Sequence, residues 1–474
     1  MLKTRLISPY QHEGLRWLVD RELDRTKPGG FLCDEMGLGK TVQLIATMLV
    51  NPKPRTLVIV PKSIVGQWCD EIARFAPSLT TCSFDGAKRA LPAKLPDVVV
   101  APYSILAQRP GSPACPLLSV QWDRVILDEG HEIRNRKSKV HIAAAALQAP
   151  IRWIVTGTPV FNSVKDFVAL CGWVGIPKEV VQGYTDIVRS KYVLRRTKTD
   201  VAMHNKRLEL PPCDFQNIEM EMYPEERDLY RDVFGKGQEI VKHVFKTGTQ
   251  NIHQMELLEC LLRVRQVMTW PQLYLDGMAL KNETDTEAYM GRSKKHEVLM
   301  DLIASHVDEK ALVFTQFTGE TDRIQEMLIE RGIPVYRLDG NVDSAERLRR
   351  IDAFRVAAPN AVFLIQIRAG GVGLNLQEAS RVYITAPAWN PATELQAIGR
   401  SHRTGQKRAV VVKKLIYKDV SDDLPSVEES IVNLQVAKSQ VCADVLKDAK
   451  LLKQVPGVSS MKLRTIAKMF KTRL

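Results

Sequence analysis

The fold of this chain is decided by one stretch, Asp34-Glu35-Met36-Gly37-Leu38-Gly39-Lys40-Thr41. It follows the apolar segment Phe31–Cys33 and precedes apolar residues at helical spacing, an order that predicts a strand, a glycine loop and a helix. Glycines let the backbone N–H groups of such a loop point inward, and the helix N-terminus adds partial positive charge, so the loop suits a phosphate group. Lys40 can then reach the β- and γ-phosphates of a nucleotide, and Thr41 can offer its hydroxyl to Mg²⁺.

The loop departs from the usual nucleotide-binding pattern at one position. Asp34 stands where that pattern has its first glycine, so Gly37 and Gly39 must make the turn. The short motif by itself leaves an ordinary strand–turn–helix as an alternative. Residues further along the chain have to decide between the two interpretations.

Composition narrows the class of protein. The chain has 474 residues, of which 45% are hydrophobic and 26% charged, which is typical of a globular protein with two to four domains. Lys and Arg number 67 against 54 Asp and Glu, giving a net charge of +13. Such an excess favours a polyanionic partner, most simply nucleic acid.

The eight cysteines are scattered, with no Cys-x-x-Cys pair, which argues against zinc modules and thioredoxin-like redox sites. Cys33 and Cys171 lie within apolar runs and are expected to be core residues in a reducing compartment. No secretory signal and no apolar run of about 20 residues is present, so we expect an intracellular, soluble protein with no membrane partner.

Buried strands alternate with helices in two separate regions of the chain, which predicts two α/β units of parallel sheet. The apolar runs that predict strands are Phe31–Cys33, Thr56–Val60, Val98–Ala101, Val125–Leu127, Trp153–Val155, Ala311–Phe314, Val335–Leu338, Val362–Ile365, Val382–Ile384 and Val410–Leu415. Polar, helix-rich sequence separates the two regions. The last fourteen residues form an apolar stripe with basic flanks, which predicts a helix packed on the second unit, with a DNA contact as the alternative.

An acidic pair, Asp128-Glu129, follows the predicted strand Val125–Leu127. A strand that ends in two carboxylates can deliver one to the Mg²⁺ shell and the other to an attacking water. Asp128 is therefore expected to bind the metal and Glu129 to orient and deprotonate the water. Although acidic pairs also occur as solvated loop residues, this pair together with the Lys40 loop predicts nucleotide hydrolysis.

The second unit carries a candidate for transition-state stabilisation. The spacing i, i+4, i+7 predicts that Gln396, Arg400 and Arg403 lie on one helical face. Two guanidinium groups aimed at one point suit the charge that develops on a transferring phosphoryl group. A surface arginine pair is the alternative, but beside a nucleotide-binding first unit an arginine-finger role is favoured.

Taken in order, these motifs resemble those of the Swi/Snf-type ATPases, a branch of the superfamily-two helicase-like translocases, from about residue 7 to residue 438. The segments that carry the resemblance are Tyr10-Gln11 with Gly14 and Trp17, Asp34–Thr41, Val60–Ser63 with Gln67-Trp68, Ala101–Tyr103, Asp128–His131, Val155–Pro159, Leu194–Lys198, Leu262–Gln266, Val313–Phe317, Ala369–Leu376, Trp389–Pro391, Gln396–Gln406 and Val427–Lys438. The resemblance implies two tandem RecA-like parallel-sheet lobes with helical insertions and a C-terminal helical brace. Its expected boundaries are 1–200 for lobe 1, 201–290 for a linker and helical protrusion, 291–420 for lobe 2 and 421–474 for the brace and basic C-terminal helices.

The resemblance also implies roles for single residues, with ATP and Mg²⁺ as cofactors. Gln11 is expected on the adenine, Gly373 and Asn375 as further nucleotide contacts, and Thr41 and Asp128 on the metal. His131 is expected to couple the ATP site to DNA through Thr156, Gly157 and Thr158, although a merely buried His131 remains an alternative. The expected DNA contacts are Lys62, Ser63, Tyr103, Arg134, Thr315, Gln316, Gly370, Gly371 and Trp389, with core packing equally open for Trp389.

The implied activity is ATP-driven translocation on double-stranded DNA without strand separation, by a monomeric motor in the nucleus or in a viral replication compartment. Asp128–His131, followed by Ile133–Asn135, and the segment Arg263–Gln266 resemble a subgroup that acts in DNA repair and transcription termination. Nucleosomes and stalled RNA polymerase are therefore candidate partners, alongside chromatin remodelling as a task. No RING-type cysteine array is expected, so ubiquitin-ligase activity is not predicted. A true strand-separating helicase and a non-hydrolysing DNA-binding scaffold are the remaining alternatives.

Overall fold

The computed structural model describes residues 8–86, 89–107, 115–157, 164–204, 210–250, 252–340, 342, 344–367, 375–403, 405–421, 423–446 and 463–471. These residues form two compact units, one made mainly by the chain before Pro211 and the other mainly by the chain from Pro211 onward. Each unit is built on its own parallel sheet with helices, so the predicted α/β class is confirmed.

The first unit alternates strands and helices from its first glycine loop onward. Its elements are α1 (Pro9–Leu23), β1 (Gly29–Leu32), α2 (Lys40–Val50), β2 (Thr56–Val60), α3 (Val65–Phe75), β3 (Thr81–Ser83), β4 (Val98–Pro102), α4 (Tyr103–Leu106), β5 (Arg124–Asp128), α5 (Lys139–Ala146), β6 (Ile151–Val155), α6 (Val164–Val174), α7 (Lys178–Gly183), α8 (Thr185–Tyr192), β7 (Val193–Leu194) and α9 (Lys198–His204).

The seven strands of the first sheet stand in the order β3-β4-β2-β5-β6-β1-β7, and all neighbours are parallel. Strands β1, β2 and β4 are buried along their whole length, as strands covered on both faces must be. Because β5, β6 and β1 are consecutive neighbours, the loops that follow them lie side by side at the carboxyl edge of the sheet. That edge carries the site described below.

The second unit begins with a strand and a run of helices, continues with strands and helices, and ends in helices. Its elements are β8 (Cys213–Met220), α10 (Pro224–Lys246), α11 (Gln254–Thr269), α12 (Pro271–Asn282), α13 (Lys294–Ala304), β9 (Lys310–Thr315), α14 (Thr318–Glu330), β10 (Val335–Leu338), α15 (Ser344–Val356), β11 (Val362–Gln366), β12 (Ala379–Ile384), α16 (Pro391–Ile398), β13 (Val410–Tyr417), α17 (Val427–Leu446) and α18 (Leu463–Met469). The six strands have the order β10-β11-β9-β12-β13-β8, again all parallel.

Strand β8 was missed by the sequence patterns. It lies inside the segment predicted as linker and protrusion, yet it pairs with β13 along all of its length, from Cys213 opposite Val410 to Met220 opposite Tyr417. Most of its side chains are exposed because it is an edge strand, so it carries no apolar run. Its pairing partner, and not its own composition, makes it a strand.

The C-terminal helix α18 packs on the second unit, as its apolar stripe predicts. Ile466 and Phe470 are fully buried, and the Phe470 ring stacks on Phe234 of α10 with centroids 5.0 Å apart. A Cβ on Gly237 would stand 2.6 Å from Phe470, so α10 has room for the ring because residue 237 is glycine. The basic Lys468 faces solvent. Over the described ranges, no helix combines the length and apolar character needed to cross a membrane.

Candidate functional site

The glycine loop after β1 turns as the sequence requires. Gly37 has φ 93° and Gly39 has φ 72°, in the left-handed region that favours glycine, and α2 begins directly at Lys40. The Lys40 ammonium group donates a 2.9 Å hydrogen bond to the backbone carbonyl of Asp34, so it lies folded across the loop. Thr41 is half-buried in the first turn of α2. The two glycines thus replace the one that the loop lacks.

Asp34 is fully buried and ties the loop to the end of the first unit. Its Oδ1 accepts hydrogen bonds from the backbone N–H and from Nε of Arg196, at 3.1 and 3.0 Å, and Arg196 Nη2 bonds its Oδ2. Gln43 of α2 donates to Oδ2 at 3.2 Å, and its own carbonyl oxygen accepts from Arg196 Nη2 at 2.8 Å. An aspartate therefore stands in place of glycine because it anchors the loop through an ion pair, a role that the sequence patterns did not reveal.

Helix α1 closes the other side of the loop. The Tyr10 hydroxyl donates to the carbonyl of Leu38 at 3.0 Å, and burial together with the Asp34 carboxylate raises the pKa of Tyr10 to about 12. Gln11 is buried, and its Nε2 lies 3.5 Å from the same carbonyl. A Cβ on Gly39 would stand 2.6 Å from that nitrogen. Gln11, the expected adenine contact, thus lies against the glycine loop.

The remaining loop residues surround these contacts. Glu35 accepts a 2.8 Å hydrogen bond from the backbone N–H of Lys198 and lies 3.5 Å from its ammonium group. Leu38 is buried with Tyr10 and Val201 in a small apolar cluster, while Met36 is half-buried. The loop is thus fixed to both α1 and α9.

Asp128 ends β5 and stands in a dense set of contacts. Its Oδ2 accepts a 2.8 Å hydrogen bond from the Trp68 indole, and its backbone carbonyl accepts from the Tyr103 hydroxyl at 2.8 Å. Burial, and then the neighbouring Glu129 charge, raise the pKa of Asp128 to about 6, while Trp68 and Lys40 oppose that rise. A cation near the carboxylate therefore finds a group whose ionisation it stabilises.

Glu129 adopts φ 49° and ψ 44°, a left-handed conformation that is uncommon for a residue other than glycine or asparagine. The conformation turns the chain from β5 into a 3₁₀ helix (Gly130–Ile133). His131 of that helix is buried, and its Nδ1 lies 3.3 Å from Glu129 Oε2 and 3.1 Å from Thr156 Oγ1. The Thr156 hydroxyl also lies 3.4 Å from Glu129 Oε2. The three side chains close a triangle, so the predicted partners His131 and Thr156 do meet.

Gly157 continues this contact to the glycine loop. A Cβ on Gly157 would stand 3.9 Å from the Asp34 carbonyl and from the Met36 nitrogen. Arg195 donates one hydrogen bond to the Gly157 carbonyl at 3.1 Å and another to the Cys33 carbonyl at 2.9 Å. Contacts through Glu129, Thr156 and Gly157 therefore link the loop after β5 to the loop after β6, and that loop to the glycine loop after β1.

The donors at this edge fit Mg²⁺ bound together with a nucleotide. Thr41 and Asp128 offer hard oxygen ligands, and among the described residues no group of three or more His, Cys, Asp or Glu could hold a metal by itself. Mg²⁺ is commonly held by one or two protein oxygens with phosphates and water, and less often by an all-protein cage. Thr41 and Asp128 as the residues that hold Mg²⁺ stay a prediction.

The prediction that Gln396, Arg400 and Arg403 share one face of a helix is wrong. Helix α16 ends at Ile398, so Arg400 and Arg403 lie in the turns that follow it and do not share a helical face with the half-buried Gln396. Arg400 is 5% exposed, and its carbonyl accepts a 3.0 Å bond from the backbone of Leu376. Gly399 follows the last helical residue with φ −62° and ψ −5°, in the right-handed helical region. The chain therefore leaves the helix through a right-handed turn.

Hydrogen bonds fix those turns to the start of β12 in the sheet of the second unit. Gln406 Nε2 donates to the carbonyl of Ala379 at the start of β12 and to that of Gln377, both at 2.9 Å, and the Ser401 hydroxyl also donates to Ala379. Asn375 is half-buried, and its carbonyl accepts from Arg355 at 3.3 Å. The backbone of Arg400 is held by Ala397 at the end of α16 and by Leu376.

The expected DNA contacts divide by exposure. Lys62 and Ser63 are exposed in a short 3₁₀ helix (Lys62–Ile64) before α3, and Arg134 is half-buried with one nitrogen donating to the His131 carbonyl at 3.0 Å. Tyr103 and Thr315 are buried, and the expected DNA contact at these two positions stays a prediction. The Tyr103 hydroxyl points to Asp128, and the Thr315 hydroxyl bonds Thr321 at 2.6 Å.

Two further residues of this group lie in the second unit. Gln316 is half-buried and donates to the Ala386 carbonyl at 3.1 Å. Trp389 packs, partly buried, against the core of the unit, with the Arg265 guanidinium 5.9 Å from its ring centroid. Thr158, Gly370, Gly371 and Gly373 lie outside the described residues.

Comparisons with known proteins agree with this arrangement. Residues 10–179 match the SNF2-related domain, and residues 294–405 match the helicase conserved C-terminal domain. The chain is 30% identical over 94% of its length to the mouse SWI/SNF-related matrix-associated actin-dependent regulator of chromatin subfamily A member 1. It is 28% identical over 88% of its length to a protein of Orgyia pseudotsugata multicapsid polyhedrosis virus described as a probable global transactivator, of which it covers 87%.

Among solved structures, the Sulfolobus solfataricus SWI2/SNF2 ATPase core in complex with dsDNA is 26% identical, with 97% of this chain and 98% of that chain covered and a TM-score of 0.42. The chain spans 44% of the length of the mouse relative and 53% of the rabbit helicase-like transcription factor. The two domain matches and these relatives, together with the loops of the first unit, establish that the chain belongs to the Swi2/Snf2 type of superfamily-two helicase-like ATPases.

Proposed function

We propose that this protein hydrolyses ATP in response to DNA and uses the cycle to move along double-stranded DNA without separating the strands. The observation that carries this proposal is the linkage of three neighbouring loops at one sheet edge. Glu129 and Thr156 share contacts with His131, and Gly157 lies beside the glycine loop that carries Lys40. A site of this kind can bind a nucleotide, activate a water and report the result to a neighbouring loop.

In this proposal, four residues of the first unit take part in the reaction. Lys40 exchanges its bond to the Asp34 carbonyl for the β- and γ-phosphates of the substrate ATP. Thr41 and Asp128 hold Mg²⁺, which neutralises phosphate charge when bound. Glu129 orients the attacking water and accepts its proton, and its contact with Thr156 holds the carboxylate on that side.

The arginines of the second unit complete the chemistry in this proposal. Arg400 and Arg403 stabilise the charge on the phosphoryl group as it is transferred, because a guanidinium fork stays protonated and can donate two parallel bonds. Arg400 enters the reaction with its backbone fixed through Leu376, so little ordering of the loop is needed.

The proposed partner is the phosphate backbone of DNA. The net charge of +13 and the exposed Lys62 and Ser63 support it, and a grip on phosphates implies little sequence preference and strong salt sensitivity. Relatives named for chromatin regulation and chromatin remodelling support nucleosomal DNA as one substrate. We extend the proposal to a monomeric motor that acts in the nucleus, or in a viral replication compartment if the chain is encoded by a virus.

Phosphate release with and without double-stranded DNA tests the ATPase part. Lys40→Ala and Glu129→Gln should each abolish DNA-stimulated hydrolysis, because one removes a phosphate ligand and the other the base. Lys178→Ala and Glu179→Gln are matched controls, since both side chains are exposed and lie outside the site. Hydrolysis at the wild-type rate in Lys40→Ala would overturn the site, and absence of hydrolysis in the wild type would favour the scaffold alternative.

Translocation is tested with two DNA substrates. A triplex whose third strand is displaced by a passing motor should be resolved in the presence of ATP. A forked duplex should stay paired under the same conditions, because the proposed motor does not separate strands. Efficient unwinding of the fork would instead identify a true helicase.

A further inference from the structure

The carboxylate of Asp128 is held by two protein donors, one on each oxygen. The Trp68 indole N–H donates to Oδ2 at 2.8 Å, and the backbone N–H of Glu129 donates to Oδ1 at 3.0 Å. The Tyr103 hydroxyl holds the backbone of the same residue by donating to its carbonyl at 2.8 Å. Each carboxylate oxygen therefore keeps a lone pair for a further ligand while its direction is fixed.

Trp68 and Tyr103 reach Asp128 from elements on one side of β5. Trp68 lies in α3, which follows the neighbouring strand β2, and Tyr103 begins α4 directly after β4. The triangle of Glu129, His131 and Thr156 lies toward β6, on the other side of β5. The proposed reaction uses neither Trp68 nor Tyr103, so their contacts with Asp128 need a separate explanation.

Core packing alone does not explain the two polar contacts. Trp68 is 1% exposed and Tyr103 is 6% exposed, so both are core residues by area. Leucine or phenylalanine could fill such a core without a polar atom, whereas these two side chains each direct a hydrogen-bond donor at a carboxylate residue expected to bind the metal. The terminal torsion of an aspartate is broad, so the carboxylate of an unrestrained Asp128 would sample several directions.

We propose that Trp68 and Tyr103 are positioning residues that hold Asp128 in the orientation in which it binds the divalent cation. This inference rests on the proposed function, because it assumes that Asp128 is a metal ligand. Trp68 sets the direction of the carboxylate, and Tyr103 sets the backbone from which the carboxylate projects. Hydrogen-bonding partners of metal ligands typically change metal affinity by about 10- to 100-fold when they are removed.

The test measures Mn²⁺ binding to the full chain in the presence of ADP by electron paramagnetic resonance, without DNA and without turnover. Trp68→Phe keeps an aromatic ring but removes the donor, and it should weaken Mn²⁺ binding by about 10-fold or more. Trp122→Phe is the matched control, because Trp122 is 2% exposed and its indole donates to the Leu117 carbonyl at 2.9 Å. Equal Mn²⁺ affinity in Trp68→Phe and wild type would overturn the proposal, as would an equal loss in Trp122→Phe.

A second pair of variants keeps the test sharp if Trp68→Phe folds poorly. Tyr103→Phe removes one hydroxyl and should also weaken Mn²⁺ binding. Tyr383→Phe is its control, because Tyr383 is 1% exposed and its hydroxyl donates to the Leu302 carbonyl at 3.0 Å in the second unit. Unchanged Mn²⁺ binding in a folded Tyr103→Phe would remove Tyr103 from the proposal.

The hydrogen bond itself is observed in the wild-type protein with ¹⁵N-labelled tryptophan. The indole resonance missing from Trp68→Phe is assigned to Trp68, and it should move in Asp128→Ala but not in Glu179→Ala, an exposed control site. A resonance unmoved by Asp128→Ala would show that the bond is absent in solution. Failure of the ATPase proposal would appear separately, as a wild-type protein that binds Mn²⁺ with ADP yet releases no phosphate.

Discussion

His131 Nδ1 lies 3.1 Å from the hydroxyl of Thr156, and the same nitrogen lies 3.3 Å from the carboxylate of Glu129. One buried imidazole thus contacts both the expected catalytic base and the strand end that leads to the glycine loop. A movement of one loop can therefore displace the other, because both loops contact the same imidazole.

Thr156→Val should uncouple hydrolysis from DNA, because valine keeps the shape of threonine and loses the hydroxyl that meets His131. The ratio of turnover with DNA to turnover without DNA should fall about tenfold, a typical coupling between two sites, while ATP affinity stays near wild type. Steady-state phosphate release measures the ratio. Thr47→Val is the control, because Thr47 is 1% exposed and its hydroxyl donates to the Gln43 carbonyl at 2.9 Å, one turn earlier in α2. An unchanged ratio in Thr156→Val would contradict a coupling role.

Arg196→Ala should destabilise the first unit by about 3 to 5 kcal/mol, because it leaves the fully buried Asp34 carboxylate without its cation. Urea unfolding measures the loss. Arg189→Ala should cost less than about 1 kcal/mol, since its contact with Asp186 at 3.8 Å lies near the surface.

The double variant Asp34→Ala with Arg196→Ala sharpens that prediction. It should lose less stability than the sum of the two single variants, because the second change removes the buried charge that the first one strands. Strict additivity of the two losses would show that Asp34 and Arg196 do not act as a pair.

Arg400→Ala should leave ATP binding near normal while turnover falls by about 10³-fold or more, the usual contribution of an arginine finger. Fluorescent nucleotide binding and single-turnover hydrolysis measure the two quantities. Arg408→Ala is a suitable control, because Arg408 is exposed and donates to the Asp308 carbonyl at 2.9 Å. Equal losses of binding and turnover in Arg400→Ala would indicate a structural role for this buried arginine.

His296 should make the second unit sensitive to acid. It is 4% exposed and packs against Trp270, and burial, aided by Arg323 and Lys295, lowers the pKa of its imidazole to about 3. Between pH 6.5 and about 3 the unfolded chain binds a proton that the folded chain refuses, so the free energy of unfolding falls as the pH falls. The slope from this one residue is about 1.4 kcal/mol per pH unit.

His296→Phe should remove that part of the pH dependence. Phenylalanine keeps a ring against Trp270, and no hydrogen-bond partner of His296 Nε2 is present in the described part of the chain. Urea unfolding followed at pH 6.5 and at pH 4.5 should show about 2 kcal/mol less loss in the variant than in the wild type. Parallel losses in the two proteins would mean that His296 is protonated in the folded state.

The sequence alone determined the architecture, because apolar runs of three to six residues between helical patterns specify buried parallel strands without help from distant contacts. It also placed Gly37, Gly39, Lys40 and the Asp128–Glu129 pair, since each is defined by its position relative to a strand end. Strand β8 escaped prediction because its side chains face solvent, and α16 was extended past Ile398 because helical spacing alone does not show where a helix ends.

Only the tertiary structure decided which distant residues meet. Asp34 and Arg196 are separated by 162 residues and Trp68 and Asp128 by 60, and no periodic pattern can announce such pairs. Tyr103 and Thr315 are likewise buried in the structure. A sequence motif gives the residue type but does not show whether the side chain is buried or exposed. Local chemistry therefore indicated where the proposed nucleotide site lies. The fold decided which side chains hold that site in place, because hydrogen bonds across a sheet edge depend on strand order and not on sequence distance.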